Sequence, residues 1–374
     1  MKNLNSRLSA LQNIYFSLMN EILKGYTVIE LSSVLAGPYA GMMFSELGAK
    51  VIKIENETTN GDVTRSWRHP SENKDTNIST YYSSTNYKKE ILFMDLSKMN
   101  HINKVYKLIK TADVVITNFK QGDDFKFALD YGRVKVINPK IIYGTIKGFD
   151  NQPKRVAYDV VIQAECGYMS MNGQADSPPT KMPVALMDVL AGHQLRSGIL
   201  AALLRREKTK KGALVQVSLE KSAISSLVNQ GSNYLMNGIP AKRIGSRHPN
   251  IALYGEVFTT LDNEEIVLAL GSQKHFQSLC RALNVPDILD EENYSSNQKR
   301  LVHIELLVKK LEPEFLKYNF SQLKTKMSEY NIPYGKINDM KTVANSETGK
   351  SMTMHEEIQG EATTRFSTIA FEIK

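Results

Sequence analysis

Cysteine, tryptophan and long apolar runs are scarce in this chain, and each scarcity excludes something. The 374 residues carry two cysteines, Cys166 and Cys280, at no disulfide, metal or redox spacing. They read as reduced thiols of a cytoplasmic protein. No run of about eighteen apolar residues exists, so no membrane span is expected. The N-terminal stretch lacks the continuous apolar core of a signal peptide; its sparse arginine and Glu21 argue against a transit peptide. Histidines are isolated and no carboxylates stand at ligand spacing, so no metal site is expected. Repeats and low-complexity tracts are missing too. The net charge of +8 is spread over scattered lysines, with no basic stripe of the kind nucleic acid requires.

What remains is the composition of a globular protein, 42% apolar and 23% charged, long enough for two domains. Leu4, Leu8, Leu11, Tyr15, Leu18 and Ile22 alternate at four- and three-residue spacing, which predicts an amphipathic helix over residues 1–24, packed on the body or on a second subunit. Tyr26–Leu31 and Val51–Ile54 are strand-like, and between them Pro38–Leu47 is helix-like and ended by Gly48. This βαβ unit of about thirty residues predicts an α/β fold with a parallel, Rossmann-like sheet. The turn reads Ser33-Val34-Leu35-Ala36-Gly37-Pro38 rather than GxGxxG, so a nicotinamide site is not expected. Ile91–Leu96, Val114–Thr117 and Ile141–Ile146 continue the strand series, with a helix at His101–Lys110. The polar stretch Asn56–Lys89, which holds the single tryptophan, Trp67, is too long for a plain connector.

Further on, Tyr158–Tyr168 is helix-like, Ala213–Leu219 strand-like and Glu220–Met236 helix-like. Beyond a loop at Asn237–Asn250, Tyr254–Thr260 and Glu265–Leu270 flank a hairpin turn, and helices follow at Lys274–Leu283, Gln298–Leu311 and Ser321–Tyr330. The expected organisation is an extension over 1–24, a large α/β domain over 25–236, a linker and small α+β domain over 237–332, and a return to the large domain over 333–374.

The chemistry is concentrated in PVALMDVLAGHQLRSGILAALLRRE, from Pro183 to Glu207. Asp188 precedes the apolar-periodic residues Val189, Leu190, Leu195, Ile199, Ala202 and Leu203. Two readings stand side by side. As an N-cap, its oxygen accepts the orphan amide protons of the first turn. As a carboxylate kept ionised by the helix dipole though partly buried, it is a nucleophile.

Taken together and in order, VIELSSVLAGPYAGMMFSELGAKVIKIE, GDVTRSW, NYKKEILFMDL, ADVVITNFK, AYDVVIQAECGYMSMNG, ALMDVLAG, RIGSRHPN and IPYGKIND resemble the class III CoA-transferases (CaiB/BaiF type). That family includes formyl-CoA transferase, carnitine CoA-transferase and α-methylacyl-CoA racemase. The resemblance covers residues 24–374. It implies that Asp188 is the nucleophilic aspartate and that two chains interlock as a homodimer. No permanently bound cofactor is implied; coenzyme A and acyl-CoA enter as substrates beside a small carboxylic acid, with no nucleic-acid or membrane partner. The CoA pocket maps onto Leu35, Ala36, Met94, Leu96, Asn118, Phe119, Lys126, Tyr158 and Asp159, with Lys89 and Arg155 as cations for the phosphates. Asp159 is expected to hold a neighbouring group or shape the pocket, and Gly245 or Gly271 to lend backbone donors to an oxyanion. His193 and His248 read as structural.

The racemase branch needs a base on each face of the α-carbon. Where its motif has His-Asp this chain has Tyr158-Asp159, and Gly271-Ser272-Gln273-Lys274 replaces its glutamate loop. Transfer of CoA between acids is therefore the expected reaction. A 2-methylacyl-CoA racemase or a non-catalytic CoA-binding homologue is the alternative. Leu35, where formyl transferases carry glutamine, disfavours formate and oxalate.

Overall fold

A computed structural model describes residues 22–152 and 154–373. The expected N-terminal helix over 1–24 lies almost wholly outside the described residues. The described residues divide into two compact units: one of residues 22–168, 181–240 and 344–373, the other of residues 169–180 and 241–343.

The first unit is built on six parallel strands: β1 (Thr27–Leu31), β2 (Lys50–Asn56), β3 (Glu90–Met94), β4 (Val114–Thr117), β5 (Ile142–Lys147) and β6 (Ala213–Ser218), in the order β3-β2-β1-β4-β5-β6. This is the expected Rossmann-like α/β sheet. β1, β2 and β4 are buried on both faces along nearly their whole length, as parallel strands covered by helices are. One face packs on α1 (Ala36–Glu46), α4 (Asp159–Glu165) and α5 (Leu186–Thr209), around Val28, Ile116, Leu195 and Ile199. The other packs on α2 (Met99–Thr111) and α3 (Tyr131–Ile137), around Ile29, Ile52, Val105 and Val134. Fully burying one such aliphatic side chain contributes about 1.5–3 kcal/mol.

The strand order reverses between β1 and β4, and open α/β sheets hold their ligands in the crevice at that switch point. Gly192 of α5 sets how near α5 comes to it. A Cβ there would lie 2.9 Å from Tyr39 Cδ1 and 3.0 Å from the carbonyl oxygen of Ala36. A glycine is thus what lets α5 pack against the start of α1.

Two local expectations change. The helix expected over Glu220–Met236 is broken into α6 (Leu219–Ser225) and α7 (Val228–Asn237). The hydroxyls of Ser225 and Ser226 donate to the carbonyl of Ser222, which competes with helix continuation. The C-terminal return, unassigned in sequence, contains a hairpin of two strands, Thr353–Ile358 and Glu361–Phe366, turned through Gln359 and Gly360, both at positive φ.

In the second unit, β7 (Tyr254–Thr259), β8 (Glu265–Ala269) and β9 (Tyr334–Lys336) form an antiparallel sheet. It is packed on helices at Gln273–Ala282, Ile304–Phe315 and Phe320–Glu329, with Phe258 stacked on Phe315 at 4.2 Å.

Candidate active site

Asp188 sits in the first turn of α5, not before it. The helix starts at Leu186, and its cap position, Ala185, offers no side-chain acceptor. The expectation of Asp188 as N-cap is therefore corrected. The acceptor comes from another helix: Asp159 Oδ1 accepts the Met187 N–H at 2.7 Å. Asp159 Oδ2 accepts from Gln163, whose own Oε1 accepts the Met182 N–H at 2.8 Å. Asp159 thereby ties the approach to α5 and its first turn to α4.

This leaves the Asp188 carboxylate without a capping duty. It is 9% exposed and receives no hydrogen bond among the described residues. Burial, and then the charge of Asp159, push its pKa up to about 7. Against the expectation that the helix dipole keeps it ionised, desolvation with a like charge nearby raises its pKa, so that it is only partly ionised at neutrality. The result is a carboxylate poised near neutrality, which is where acid–base and nucleophilic groups are tuned.

Asp188 lines a cavity of about 740 Å³ at the switch point. Its walls include Val34, Leu35 and Ala36 after β1, Asn118 and Phe119 after β4, Lys147 at the end of β5, and Lys154, Arg155 and Tyr158 beyond it. A second cavity of about 970 Å³ shares Ser33, Asn118, Phe119, Lys120 and Asp123 and adds Leu96, Arg68, Lys74 and Lys126. Asn118 clamps the two sides of the switch point: its Oδ1 accepts from Ser33 N at 3.0 Å and its Nδ2 donates to Ser33 O at 2.7 Å.

Of the residues mapped onto the pocket, Leu35, Ala36, Leu96, Asn118, Phe119, Lys126, Arg155 and Tyr158 line one cavity or both. Met94 lines neither; it is buried among Ile52, Ile54 and Ile102. Arg155 is forked onto Glu165 and lies 4.4 Å over the Phe149 ring. Lys89 is corrected outright. Its side chain is fully buried, 2.8 Å from Glu30 and donating to Pro38 O, beyond reach of a phosphate. Burial and the neighbouring Lys53 charge lower its pKa to about 8 against the pull of Glu30.

Gly245 and Gly271 are corrected as oxyanion donors. The first donates to Gly173 O and the second to Ala269 O, both at 3.0 Å. His193 packs edge-on against Tyr39, and His248 against Tyr254.

Two features of the structure lie outside the sequence expectations. Tyr81, in the long polar stretch, has its phenol pushed up to about 12 by burial and by the charges of Asp188, Asp159 and Asp62; it packs edge-on against Trp67 at 5.2 Å. Behind the β1–α1 turn lies a buried ion cluster: Lys53 is 2.9 Å from Glu30 and 3.1 Å from Asp62, and Arg65 is 2.7 Å from Glu55. Its signal was available, since Glu30, Lys53 and Glu55 interrupt otherwise apolar strands.

The sequence model of CoA-transferase family III matches residues 23–374. The chain belongs to that family. Over 324 residues it is 38% identical to the succinate–glutarate CoA-transferase of Agrobacterium fabrum, an alignment covering 85% of this chain and 80% of that one. It is 32% identical over 330 residues to the human succinyl-CoA:glutarate CoA-transferase, covering 87% and 74%. The crystal structure of a CAIB/BAIF family protein from Brucella suis superposes with a TM-score of 0.80 at 32% identity, covering 93% of this chain and 92% of that one. Within that fold, the groove at the β1/β4 switch point and the Asp188 carboxylate on its wall lie in one unit.

Proposed function

We propose that this CoA-transferase moves CoA from an acyl-CoA to a free carboxylic acid through covalent intermediates on Asp188. One observation carries the reading: a buried carboxylate with no hydrogen-bond partner among the described residues opens on a groove large enough for a thioester. An ionised carboxylate that is poorly solvated is a competent nucleophile.

The chemistry then runs in four exchanges. Asp188 attacks the thioester carbonyl and expels CoA thiolate, leaving a mixed anhydride. The thiolate attacks the aspartyl carbonyl, expels the donor carboxylate and forms an aspartyl thioester. The acceptor carboxylate attacks that carbonyl, expelling the thiolate and making a second anhydride. The thiolate takes the acceptor acyl group and frees Asp188. No thioester energy is lost to water in any exchange.

For substrates, we infer a dicarboxylic acid longer than oxalate. Lys147 and Lys154 share the wall with Asp188 and suit a second, unreacting carboxylate, while Leu35 presents an apolar face. The relatives named above for succinate and glutarate support this reading. A homodimer, interlocked as in the family, accompanies it. Val228, Leu235, Met236 and Ile239 are 70–84% exposed along and just beyond α7, a patch suited to a second copy. Light scattering of the purified protein at the mass of two chains supports the dimer, and a monomer rejects it.

The test of the mechanism is trapping. Incubation with succinyl-CoA followed by hydroxylamine tags Asp188 as a hydroxamate, read by peptide mass spectrometry, and Asp188→Asn abolishes the tag. No tag across a panel of acyl-CoAs rejects the reading. Solvent deuterium at the α-carbon of a 2-methylacyl-CoA, without CoA exchange, moves the enzyme to the racemase branch.

A further inference from the structure

Val34 is the strained residue of the groove. It holds φ +69°, a conformation that a β-branched side chain adopts only when its surroundings impose it. It stands in the β1–α1 turn and lines the same cavity as Asp188. Its N–H points at both carboxylate oxygens of Asp62, at 3.3 and 3.2 Å.

Asp62 is itself fixed from several sides. Lys53 Nζ lies 3.1 Å from its Oδ2. Its Oδ1 accepts from Thr64 N at 3.1 Å and from Thr64 Oγ1 at 2.9 Å, and its own N–H donates to Glu55 Oε2. The Thr64 carbonyl then accepts from Trp67 N and from Ser79 Oγ at 2.6 Å, and Ser79 caps the short helix Thr80–Ser83 that carries Tyr81. Lys53 also donates to Ser32 O at 2.7 Å, two residues before Val34. A chain of bonds thus runs from the β1–α1 turn through Asp62 to Trp67 and Tyr81.

We propose that Asp62 is a positioning residue for the transfer reaction: it holds Val34 in its left-handed conformation, which sets the β1–α1 wall of the groove, and fastens that wall to the loop bearing Trp67 and Tyr81. The proposal rests on the groove being the CoA site. It gives a function to the turn Gly61–Arg65, which lines the larger cavity through Gly61, Asp62, Val63 and Arg65. Replacement by asparagine is disruptive for a plain reason. Its single acceptor oxygen serves Thr64 or Val34, while its NH2 is turned against Lys53 and the remaining N–H. Val34 is then free to relax to negative φ and carry the wall with it. A glycine at 34 occupies positive φ without being held there.

The experiment measures binding of free coenzyme A by calorimetry, which needs no covalent step, alongside KM and kcat with succinyl-CoA. Asp62→Asn is expected to weaken CoA binding about tenfold and raise KM in parallel, with kcat changed far less. Adding Val34→Gly to Asp62→Asn is expected to recover at least about threefold of the lost affinity. A general loss of stability cannot give that recovery, because glycine adds unfolded-state entropy and lowers stability further. CoA affinity of Asp62→Asn within about twofold of the wild type overturns the proposal, as does a double variant no better than the single one. If Asp62→Asn does not fold, Asp62→Glu keeps the charge beside Lys53 but moves the oxygens off Val34, and the same two criteria decide. A missing hydroxamate at Asp188 rejects the covalent mechanism and leaves these binding results standing.

Discussion

Asp159 accepts the backbone N–H of Met187 at 2.7 Å, one residue before Asp188, and its charge helps raise the Asp188 pKa. One carboxylate therefore orients the helix start and tunes the neighbouring acid.

The first consequence concerns pH. With the Asp188 pKa at about 7, the ionised form is lost as pH falls below neutrality. The rate constant kcat/KM is expected to rise with pH through an inflection near 7 and to fall about tenfold per unit on the acid side. Asp159→Asn removes a like charge, so the inflection moves toward acid. An inflection left in place by Asp159→Asn contradicts the coupling.

Stability should show the same titration with the opposite benefit. The folded Asp188 pKa is raised from 3.8, so the folded state binds the extra proton between pH 3.8 and 7. The associated stability is full below 3.8 and lost as pH rises through 7. Asp188→Asn escapes that loss, with a ceiling of roughly 4 kcal/mol. Thermal scans should show the variant melting above the wild type at pH 8 and the two converging below pH 4, while kcat drops by at least about a thousandfold.

The buried cluster behind the turn should be costly to break. Lys53→Met leaves Glu30 and Asp62 without their shared cation and is expected to destabilise the first unit by about 3–5 kcal/mol, read from urea unfolding. Gly41→Ala tests the same packing, since a Cβ there would fall 1.9 Å from Glu30 Oε2.

Lys126 lines the larger cavity with its ammonium 5.3 Å from the Phe127 ring centroid. Lys126→Ala should raise KM for acyl-CoA about three- to tenfold, leave kcat within about twofold and flatten the salt dependence of KM. An unchanged KM removes Lys126 from the phosphate contacts.

The sequence displayed the sheet because apolar β-rich runs alternate with amphipathic helices, a pattern each segment carries by itself. It displayed Asp188 as the acid at a helix start through its place in an ordered set of motifs. It misplaced Lys89, because solvent exposure of a lysine depends on which strands become neighbours. β1 pairs with β2 in a register that sets Glu30 opposite Lys53, and that pairing creates the buried cluster. Tyr81 is hidden for a similar reason: Asp188, whose charge helps raise its pKa, lies more than a hundred residues later in the chain.

By itself, then, the amino-acid sequence determined the α/β alternation, the family motifs and the place of Asp188 at a helix start, since these rest on local periodicity and residue type. Tertiary structure alone decided the cap, the raised pKa of Asp188 and the bond from Val34 to Asp62. Burial, like-charge proximity and a hydrogen bond from a distant carboxylate exist only once the strands have taken their order.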